Sequence, residues 1–541
     1  MTTVRRSLTV TFSNGKKLEL QGPVDADLDK KLRSVRASEM SENSASALVD
    51  SIFKNHRLGA GEQLAATAIG AAAMLGRTVK AVQYAGVDSS GKDFARSLGL
   101  QAHAGRELRA VLNEELCLST GKGTATVLQI LAGEVVLDPA QPSAVVEPVS
   151  SRTPLPKKEW TIVVYYSGDN DLAPYGLADL KEMKDGFAKV SSFANVVVIM
   201  DNPLATGPTP GLSEGFASPT QVLVLEHDKK ATRDGVRLRP VQIDGTSRLG
   251  KLLERTGGHL NMASGDSLRA SREFAARFAP SKHTMMVLSG HGEGPAGAMS
   301  DDSSPSPDDL LKPHELHSAL TTLPKPVDVL AFDACMMQDA GMAEVASAVG
   351  AKLLVASEEI EPQRGWQWRK LFESMARRRK NGSTLKPADL GRAAVDTYSG
   401  NTLSCVDASR ATTVWSGLDE LGTALRKAGG REQPDIAWAI NNAERYDVDA
   451  DTVDIIDFCK QLCDGFARSS EVYKAARALI QTVESAVLRH STTASRAARD
   501  YENSHGLAMY LPATVDGVDP RQAGRLIDHK ATDWVKFLKG A

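Results

Sequence analysis

Two mostly apolar segments of this chain end close to residues that can perform nucleophilic catalysis. VDVLAF (residues 327–332) is followed by Asp333 and Cys335, and HTMMVLS (residues 283–289) is followed by His291. An imidazole that accepts the proton of a thiol generates the thiolate, which is the reactive form of cysteine. The ordinary alternative is a cysteine that packs as a small hydrophobic side chain in the core. Cys335 is therefore either a nucleophile activated by His291 or a buried structural thiol.

The elements that would position these residues form an alternating pattern of strands and helices. Strands that are apolar on both faces and separated by helices predict an α/β fold with a mainly parallel sheet and helices on both faces. Sites in such sheets lie outside the carboxyl ends of the strands, so we expect Cys335 and His291 to meet there. The predicted strands are residues 160–166, 195–200, 221–226, 283–289, 327–332 and 352–357, and the predicted helices are residues 267–279, 315–323 and 339–350.

The backbone around the two candidates is also expected to take part in the chemistry. Gly292 has no side chain to cover its amide, so its N–H and that of Cys335 are expected to bind the oxyanion of an acyl-transfer intermediate. A helix beginning near Gln338 would direct its positive end at the thiolate and lower the pKa of Cys335. If the strand continues through Cys335, Asp333 points to the same side, where a carboxylate suits a cationic substrate. The alternative for Asp333 is a cap of the following turn.

Composition excludes several classes of protein. The chain has 541 residues, enough for two or three domains, and its net charge of −3 gives no general reason to expect nucleic acid or an anionic membrane as a partner. Its five scattered cysteines are not a disulfide framework. The first residues lack the apolar core of a signal peptide, and no segment has the roughly 18 apolar residues of a membrane span. We therefore expect a cytoplasmic protein with reduced thiols.

Local composition divides the chain into four regions. Residues 1–138 predict a small mixed α/β module that begins with a β-hairpin around Asn14-Gly15. Residues 139–158 contain five prolines and a basic end, which predict an extended, exposed linker. Residues 159–515 carry the α/β pattern with both candidate residues, and residues 516–541 remain as a C-terminal tail.

Seven segments in this order resemble the clostripain family of cysteine peptidases, which share the caspase-haemoglobinase fold. The resemblance includes WTIVVYYSGDNDL near the first strand, SGHG around His291 and DAC around Cys335, and it extends over about two thirds of the chain. Each short motif alone is weakly specific, but the ordered set is specific. The matching segments are residues 160–172, 261–292, 327–338, 356–368, 402–409, 453–458 and 505–512.

The resemblance implies a role for several residues. Cys335 matches the nucleophile, His291 the catalytic histidine, and Asp333 the residue that selects Arg or Lys before the scissile bond of a protein or peptide substrate. Trp366 is expected to line the substrate cleft, with packing against the sheet as the alternative. No cofactor is required. Calcium is a further candidate because some members respond to it and residues 300–309, SDDSSPSPDD, offer oxygen ligands.

Activation is the point at which the sequence departs from the family. Members are often activated by cutting themselves after a basic residue in the loop beyond the histidine, but residues 292–311 contain no Lys or Arg. Basic sites occur instead at Arg152, at Lys157-Lys158 and in residues 376–382. We expect the N-terminal module to restrain the peptidase until proteolysis or a signal releases it, as in a caspase-like bacterial death or defence pathway. The competing hypothesis is a catalytically idle, peptidase-like scaffold that acts as a sensor or interaction protein.

Overall fold

The computed structural model divides the chain into two compact units, each with its own sheet. The first unit comprises Met1–Val146, Asp171–Ala178 and Leu204–Ala217, and the second comprises Glu147–Asn170, Asp179–Pro203 and Ser218–Ala541. The residues that the structure describes are 3–12, 17–25, 79–87, 93–98, 149–201, 220–227, 235–304, 309–321, 325–379, 383–447, 451–492, 501–519, 522 and 532–540.

The first unit contains a four-stranded antiparallel sheet made of β1 Thr3–Phe12, β2 Lys17–Asp25, β3 Val79–Val87 and β4 Asp93–Leu98. The strands lie in the order β2-β1-β3-β4. The first two strands pair from Thr3 with Asp25 to Thr11 with Lys17, which confirms the predicted hairpin with longer strands. Residues 26–78 of the predicted mixed α/β module lie outside the described residues.

The second unit is built on a ten-stranded sheet. Its strands are β5 Val149–Ser150, β6 Lys158–Ser167, β7 Ala194–Asp201, β8 Gln221–His227, β9 Val236–Gln242, β10 Ser281–Ser289, β11 Val329–Asp333, β12 Leu353–Ala356, β13 Thr402–Asp407 and β16 Val487–Thr492. They lie in the order β16-β13-β12-β11-β10-β6-β7-β8-β9-β5. The centre of the sheet, from β12 to β7, is parallel, as the sequence predicts. The flanking strands differ, because β8 runs antiparallel to β7 and β13 runs antiparallel to β12.

A small sheet of the second unit has three strands, in the order β14 Arg445–Tyr446, β15 Thr452–Asp454 and β17 Ala508–Tyr510.

Both faces of the central sheet are covered. Every residue of β7 and of β11 is buried, and Val163, Leu288 and Phe332 are 0% exposed. Burying one such side chain stabilises the fold by about 1.5–3 kcal/mol relative to leaving it in water. The absence of apolar and polar alternation in these strands is therefore the sequence signal of a sheet packed on both faces.

Helices alternate with the strands of the second unit, and several begin at residues suited to capping. Ser264, Asp339 and Asp454 each accept a hydrogen bond from an amide N–H in the first turn of the helix that follows. Within the described ranges, no helix has the length and apolar content to cross a membrane. The helices are α1 Ala173–Phe187, α2 Arg248–Arg255, α3 Gly265–Phe278, α4 Pro313–Thr321, α5 Ala340–Ala348, α6 Trp368–Arg378, α7 Pro387–Thr397, α8 Ala411–Lys427, α9 Pro434–Asn442, α10 Ile455–Gly465, α11 Glu471–Ala486 and α12 Asp533–Leu538.

The second half of the predicted linker has mostly exposed side chains, but its backbone is hydrogen-bonded to the second unit. Val149–Ser150 pairs in parallel with β9. The N–H of Leu155 donates to the carbonyl of Phe278 at 2.7 Å, and Lys158 is the first residue of β6. Backbone hydrogen bonds therefore attach residues 149–158 to the second unit.

The predicted C-terminal tail also contains part of the core. Trp534, Phe537 and Leu538 of α12 are buried in the main hydrophobic cluster. The amide of Trp534 donates to the carboxylate of Asp419 on α8 at 3.0 Å. Six helical residues carry too little periodic pattern to be recognised in a sequence, and tertiary packing stabilises them here.

Candidate active site

The carboxyl ends of β10 and β11 bring the two candidate residues together. In the parallel pair, Ser289 lies opposite Asp333, and His291 and Cys335 each lie two residues beyond this pair. The N–H of Gly290 donates to the carbonyl of Asp333 at 3.2 Å. The sheet register thus places His291 and Cys335 at equivalent positions beyond neighbouring strands.

Close backbone contact continues past the strand ends at Gly292. A Cβ atom at this position would overlap the carbonyl oxygen of Cys335 and would lie 3.0 Å from Sδ of Met337. Any larger residue would push the histidine segment away from the cysteine segment. The role of the N–H groups of Gly292 and Cys335 as oxyanion donors stays a prediction, but both belong to segments that are in contact.

The prediction that a helix start lowers the pKa of Cys335 is wrong. α5 begins at Ala340, later than predicted, and the carboxylate of its cap Asp339 accepts hydrogen bonds from two amides of the first turn at 2.7 and 3.0 Å. Burial instead raises the pKa of Cys335 to about 11; the N–H of Glu361 opposes this shift, and the charge of Glu359 adds to it. The resting thiol is protonated at neutral pH, so the nucleophile requires a base.

The strand also ends earlier than the geometric argument for Asp333 assumes. β11 ends at Asp333 itself, and Met336 adopts a left-handed conformation with φ of 59° in the turn that follows. The side chains still share a neighbourhood, because the N–H of Glu361 donates to Sγ of Cys335 at 3.3 Å and the Glu361 carboxyl group interacts with Asp333. The association is therefore made by the 356–368 segment and not by strand periodicity.

Asp333 is buried, with 6% of its surface exposed, and this carboxyl group with its neighbours Glu361 and Trp366 is called the acidic pocket. Its Oδ1 accepts a hydrogen bond from the N–H of Trp366 at 3.1 Å, and Ser289 donates to Oδ2 at 3.5 Å. Burial raises the pKa of Asp333 to about 6. Gly365 passes directly over the carboxylate with φ of 51°, and a Cβ there would overlap Oδ1. Asp339, and not Asp333, caps the following helix.

Glu361 is a second acidic residue of this pocket, and sequence reasoning missed it. Its side chain is 7% exposed, and both carboxylate oxygens are buried. Burial and the neighbouring Asp333 raise the pKa of Glu361 well above its ordinary value, and the indole N–H of Trp366 opposes this shift. The buried hydroxyl of Tyr398 also interacts with this carboxyl group. The acidic segment SEEIEP at residues 357–362 was the available signal.

Asp179 adds a third buried carboxyl group to the same neighbourhood. It lies on α1 and is 7% exposed. Burial raises the pKa of Asp179 well above the ordinary value, and the charges of Asp333 and Glu182 add to the shift. The pocket therefore has a strongly negative potential whenever its carboxyl groups are ionised.

Comparison with known proteins identifies the family of this chain. Residues 164–538 match the model of the clostripain family, peptidase C11. The chain belongs to the clostripain family of cysteine peptidases. The match ends at the last residue of α12, so the family unit includes the helix that the sequence analysis assigned to a tail.

Individual relatives are more distant. The chain is similar to clostripain from Hathewaya histolytica, with 28% identity over 266 residues, 45% of this chain and 47% of that protein, and so spans about half the length of this curated relative. A secreted C11 cysteine protease from Bacteroides thetaiotaomicron, in complex with an irreversible peptide inhibitor, has a TM-score of 0.51 and 16% identity over 70% of this chain and 98% of that chain. An inactive zymogen C11 protease from Parabacteroides distasonis has a TM-score of 0.48 and 18% identity over 71% and 99%. The Bacteroides structure supports the fold alone.

The other described cysteines of the clostripain-family unit are buried or half-buried. Cys405 on β13 is 0% exposed, and burial raises its pKa to about 12. Cys459 on α10 is also fully buried, and Cys463 lies half-buried one turn later. Cys117 lies outside the described residues.

A separate group of side chains in this family unit could hold a metal ion. Among the described residues, the carboxylates of Asp169, Asp201 and Asp301 each offer one oxygen atom, and these atoms lie within 4.8 Å of one another. Asp301 belongs to the 300–309 segment in which the sequence suggested calcium ligands, while residues 305–308 lie outside the described residues. Asp169 and Asp201 come from two other parts of the chain.

Proposed function

We propose that this clostripain-family chain is a cysteine endopeptidase that cleaves after Arg or Lys. The observation that carries the proposal is the buried pair of carboxyl groups, Asp333 and Glu361, beside Cys335. Both oxygens of Glu361 are buried, and no basic side chain of the described residues forms an ion pair with Asp333 or Glu361. An arginine or lysine side chain supplies the positive charge that is missing there, together with N–H donors.

The geometry supports a mechanism of acyl transfer. His291 takes the proton of Cys335, and the thiolate attacks the carbonyl carbon of the scissile bond. The backbone N–H groups of Gly292 and Cys335 stabilise the resulting oxyanion. The imidazolium of His291 then donates its proton to the leaving amine, which departs as the acyl-enzyme forms. Water, deprotonated by His291, releases the acid and restores the thiol.

Charge rather than shape separates substrates in this pocket. Two adjacent buried carboxylates repel each other, and a neutral substrate side chain leaves them without a counterion. A guanidinium group forms charge-assisted hydrogen bonds to both carboxylates and stabilises their ionised forms. Citrulline, which resembles arginine in shape but is neutral, removes this stabilisation.

Paired peptide reporters test the proposal. Reporters that differ only in Arg or citrulline before the scissile bond, and in Lys or norleucine, would be incubated with the protein and with Cys335→Ala. We expect hydrolysis of the cationic reporters alone, and none by Cys335→Ala, whose folding is checked by its thermal transition. Hydrolysis of the Arg and citrulline reporters at equal rates would contradict the assigned specificity.

The second candidate is the catalytically idle scaffold. It predicts neither hydrolysis nor covalent labelling of Cys335 by an arginine-directed electrophile. The close contact of the histidine and cysteine segments at Gly292 favours the enzyme, since a scaffold does not need this contact. Mass spectrometry of the labelled chain, before and after separation of its two units, distinguishes the two functions.

We also propose that the N-terminal unit restrains the peptidase and that a cut near Arg152 or Lys157 relieves the restraint. Arg152 and Lys157 are exposed, whereas Lys158 belongs to β6 and its Nζ donates to the carbonyl of Ala194 at 3.0 Å. In the other basic segment, residues 376–382, Nε of Arg379 lies 2.9 Å from Oε2 of Glu159 and forms an ion pair with it. The cut would be made by the enzyme itself or by an activating protease. A caspase-like bacterial death or defence response in the cytoplasm is the proposed setting, and the genomic neighbourhood tests it.

A further inference from the structure

Three buried aspartates converge beside the segment that carries His291. Asp169 lies two residues after β6, Asp201 is the last residue of β7, and Asp301 follows His291 by ten residues. Asp169 is 4% exposed, and Asp201 and Asp301 are 0% exposed. Because β10, β6 and β7 are neighbours in the sheet, their carboxyl ends bring the three side chains to one place.

Part of this cluster has no hydrogen-bond donor. Oδ2 of Asp169 and Oδ2 of Asp201 are buried without a partner among the described residues. The other oxygen of Asp201 accepts from the hydroxyl of Thr220 and from the N–H of Leu260 at 3.3 Å. Two unpaired carboxylate oxygens are thus buried together, and a buried acceptor without a partner destabilises the fold.

The third aspartate is better satisfied but remains an acceptor. Oδ2 of Asp301 accepts from the N–H of Met262 at 2.8 Å, and Oδ1 accepts from the hydroxyl of Ser303 at 3.2 Å. A carboxylate oxygen has lone pairs for more than one partner, so these bonds leave room for a cation.

The nearest basic side chain does not neutralise the cluster. Nδ1 of His259 lies 3.6 Å from Oδ2 of Asp201, and this nitrogen has no hydrogen-bond partner within the described ranges. No other basic side chain of the described residues forms an ion pair with any of the three carboxylates.

We propose that Asp169, Asp201 and Asp301 bind a divalent cation that prefers oxygen ligands, with Ca²⁺ as the first candidate. The donors are all oxygens and come from separate parts of the chain, which suits the irregular coordination of Ca²⁺ better than the strict octahedron of Mg²⁺. A site for Zn²⁺ would instead be built mainly from thiolates and imidazoles. Binding at this site does not depend on the proposed peptidase activity.

The site is connected to the histidine segment by backbone contacts. The N–H of Met299 donates to the carbonyl of His291 at 2.9 Å, and the N–H of Asp302 donates to the carbonyl of Asp169 at 2.8 Å. The side chain of Asn170 also donates to the carbonyl of Ser300 at 3.2 Å. A cation would therefore fasten residues 291–302 to the ends of β6 and β7 and hold His291 in place.

The competing explanation is protonation. Burial raises the pKa of Asp201 to about 8, opposed by the Thr220 hydroxyl and increased by the charge of Asp301. A proton on Asp201 would lessen the repulsion without any metal ion. The two explanations differ in whether the protein binds Ca²⁺ at neutral pH.

The experiment uses full-length Cys335→Ala protein, which cannot digest itself, after removal of metal ions with EDTA. Isothermal titration with CaCl₂, and separately with MgCl₂, measures binding, and the thermal transition gives a second readout. We expect one saturable Ca²⁺ site per chain, and a binding constant weakened at least about tenfold by Asp169→Asn or Asp201→Asn. Asp309→Asn, in the same acidic segment but outside the cluster, is the matched control and should bind as before.

The thermal readout separates a cation site from a merely structural role. Without metal, Asp169→Asn should be at least as stable as the parent because it removes one of three like charges, and added Ca²⁺ should no longer raise its Tm. A parent protein that binds neither cation at millimolar concentration overturns the proposal. So does binding that persists in Asp169→Asn but is lost in Asp309→Asn. If Asp201→Asn does not fold, Asp169→Asn decides.

Discussion

At the scale of single residues, the site combines a protonated thiol with an unusually acidic pocket. Burial holds the pKa of Cys335 near 11, so a thiolate does not exist in the resting state at neutral pH. The proposed mechanism therefore depends on transfer of the thiol proton to His291. In the same proposal, the acidic pocket selects the substrate.

Removal of one pocket charge should change specificity more than turnover of neutral substrates. Loss of one partner of a buried, hydrogen-bonded charged pair costs about 3–5 kcal/mol, or roughly two to four powers of ten in kcat/KM. We expect Asp333→Asn to lose this much on the Arg reporter and little on the citrulline reporter. Glu361→Gln should act in the same direction.

Asp328→Asn is the control for that experiment, because Asp328 binds His283 and Lys352 at the opposite end of the strand. Equal losses on the Arg and citrulline reporters in Asp333→Asn would show that Asp333 supports the fold or the nucleophile and not the selection of charge.

The pH dependence should show the ionisation of the same pocket. Burial raises the pKa of Asp333 above that of an ordinary aspartate, to about 6. Below this value the carboxyl is protonated and cannot pair with arginine, so kcat/KM for the Arg reporter should rise with pH through about 6. The pH profile of kcat/KM reports ionisation in the free enzyme. Asp333→Asn should lose this rise, and a wild-type profile flat from pH 5 to 7 would contradict the assignment.

At the scale of secondary-structure elements, loops after parallel strands assemble the pocket. β11 supplies Asp333, and the loop after β12 supplies Glu361 and Trp366. Gly365 allows this loop to pass over the carboxylate, since it combines φ of 51° with no side chain.

Gly365→Ala should therefore damage the pocket. The added Cβ overlaps Oδ1 of Asp333, and a left-handed conformation costs a non-glycine residue about 1–3 kcal/mol. We expect a large loss of kcat/KM on the Arg reporter and a lower thermal transition. Gly245→Ala is the matched control, because nothing lies within 4 Å of a Cβ at that position. Full activity of Gly365→Ala would show that the loop can move without cost.

At the scale of the whole molecule, the second unit begins at Glu147, before the position that composition suggests. Val149–Ser150 pairs with β9, and the side chain of Asn195 donates to the carbonyl of Pro156 at 3.0 Å. A shortened peptidase chain that begins at residue 159 would lose these hydrogen bonds. A chain that begins at residue 147 retains them.

The restraint hypothesis predicts that the chain beginning at residue 147 is more active than the full-length protein. Mass spectrometry of the incubated full-length protein, beside Cys335→Ala, should locate a cut after Arg152 or Lys157. Arg152→Gln combined with Lys157→Gln should then slow activation, whereas Arg377→Gln should not. Equal activity of the uncut and shortened chains would contradict the restraint hypothesis. Recruitment or targeting would then be the role of the N-terminal unit.

The sequence alone predicted the class of fold, which is confirmed, and the candidate pair Cys335 and His291, which stays a prediction. Continuous apolar strands between amphipathic helices are recognisable because burial on both faces removes the polar alternation. Cys335 and His291 could be paired without coordinates because each follows a strand of a parallel sheet, and parallel strands end at the same edge. Asp333 was identified for the same reason, with the family resemblance supplying its role.

Tertiary structure alone decided which other groups surround these residues. Glu361 reaches Cys335 across 26 positions of sequence, and Asp169, Asp201 and Asp301 converge from three separate segments. The direction of the pKa shift of Cys335 was also predicted wrongly, because burial of the thiol outweighs the interactions that lower its pKa. Sequence spacing determines which side chains share a strand end, but only the packed loops determine which charges share a pocket, because loop paths depend on contacts distant in the chain.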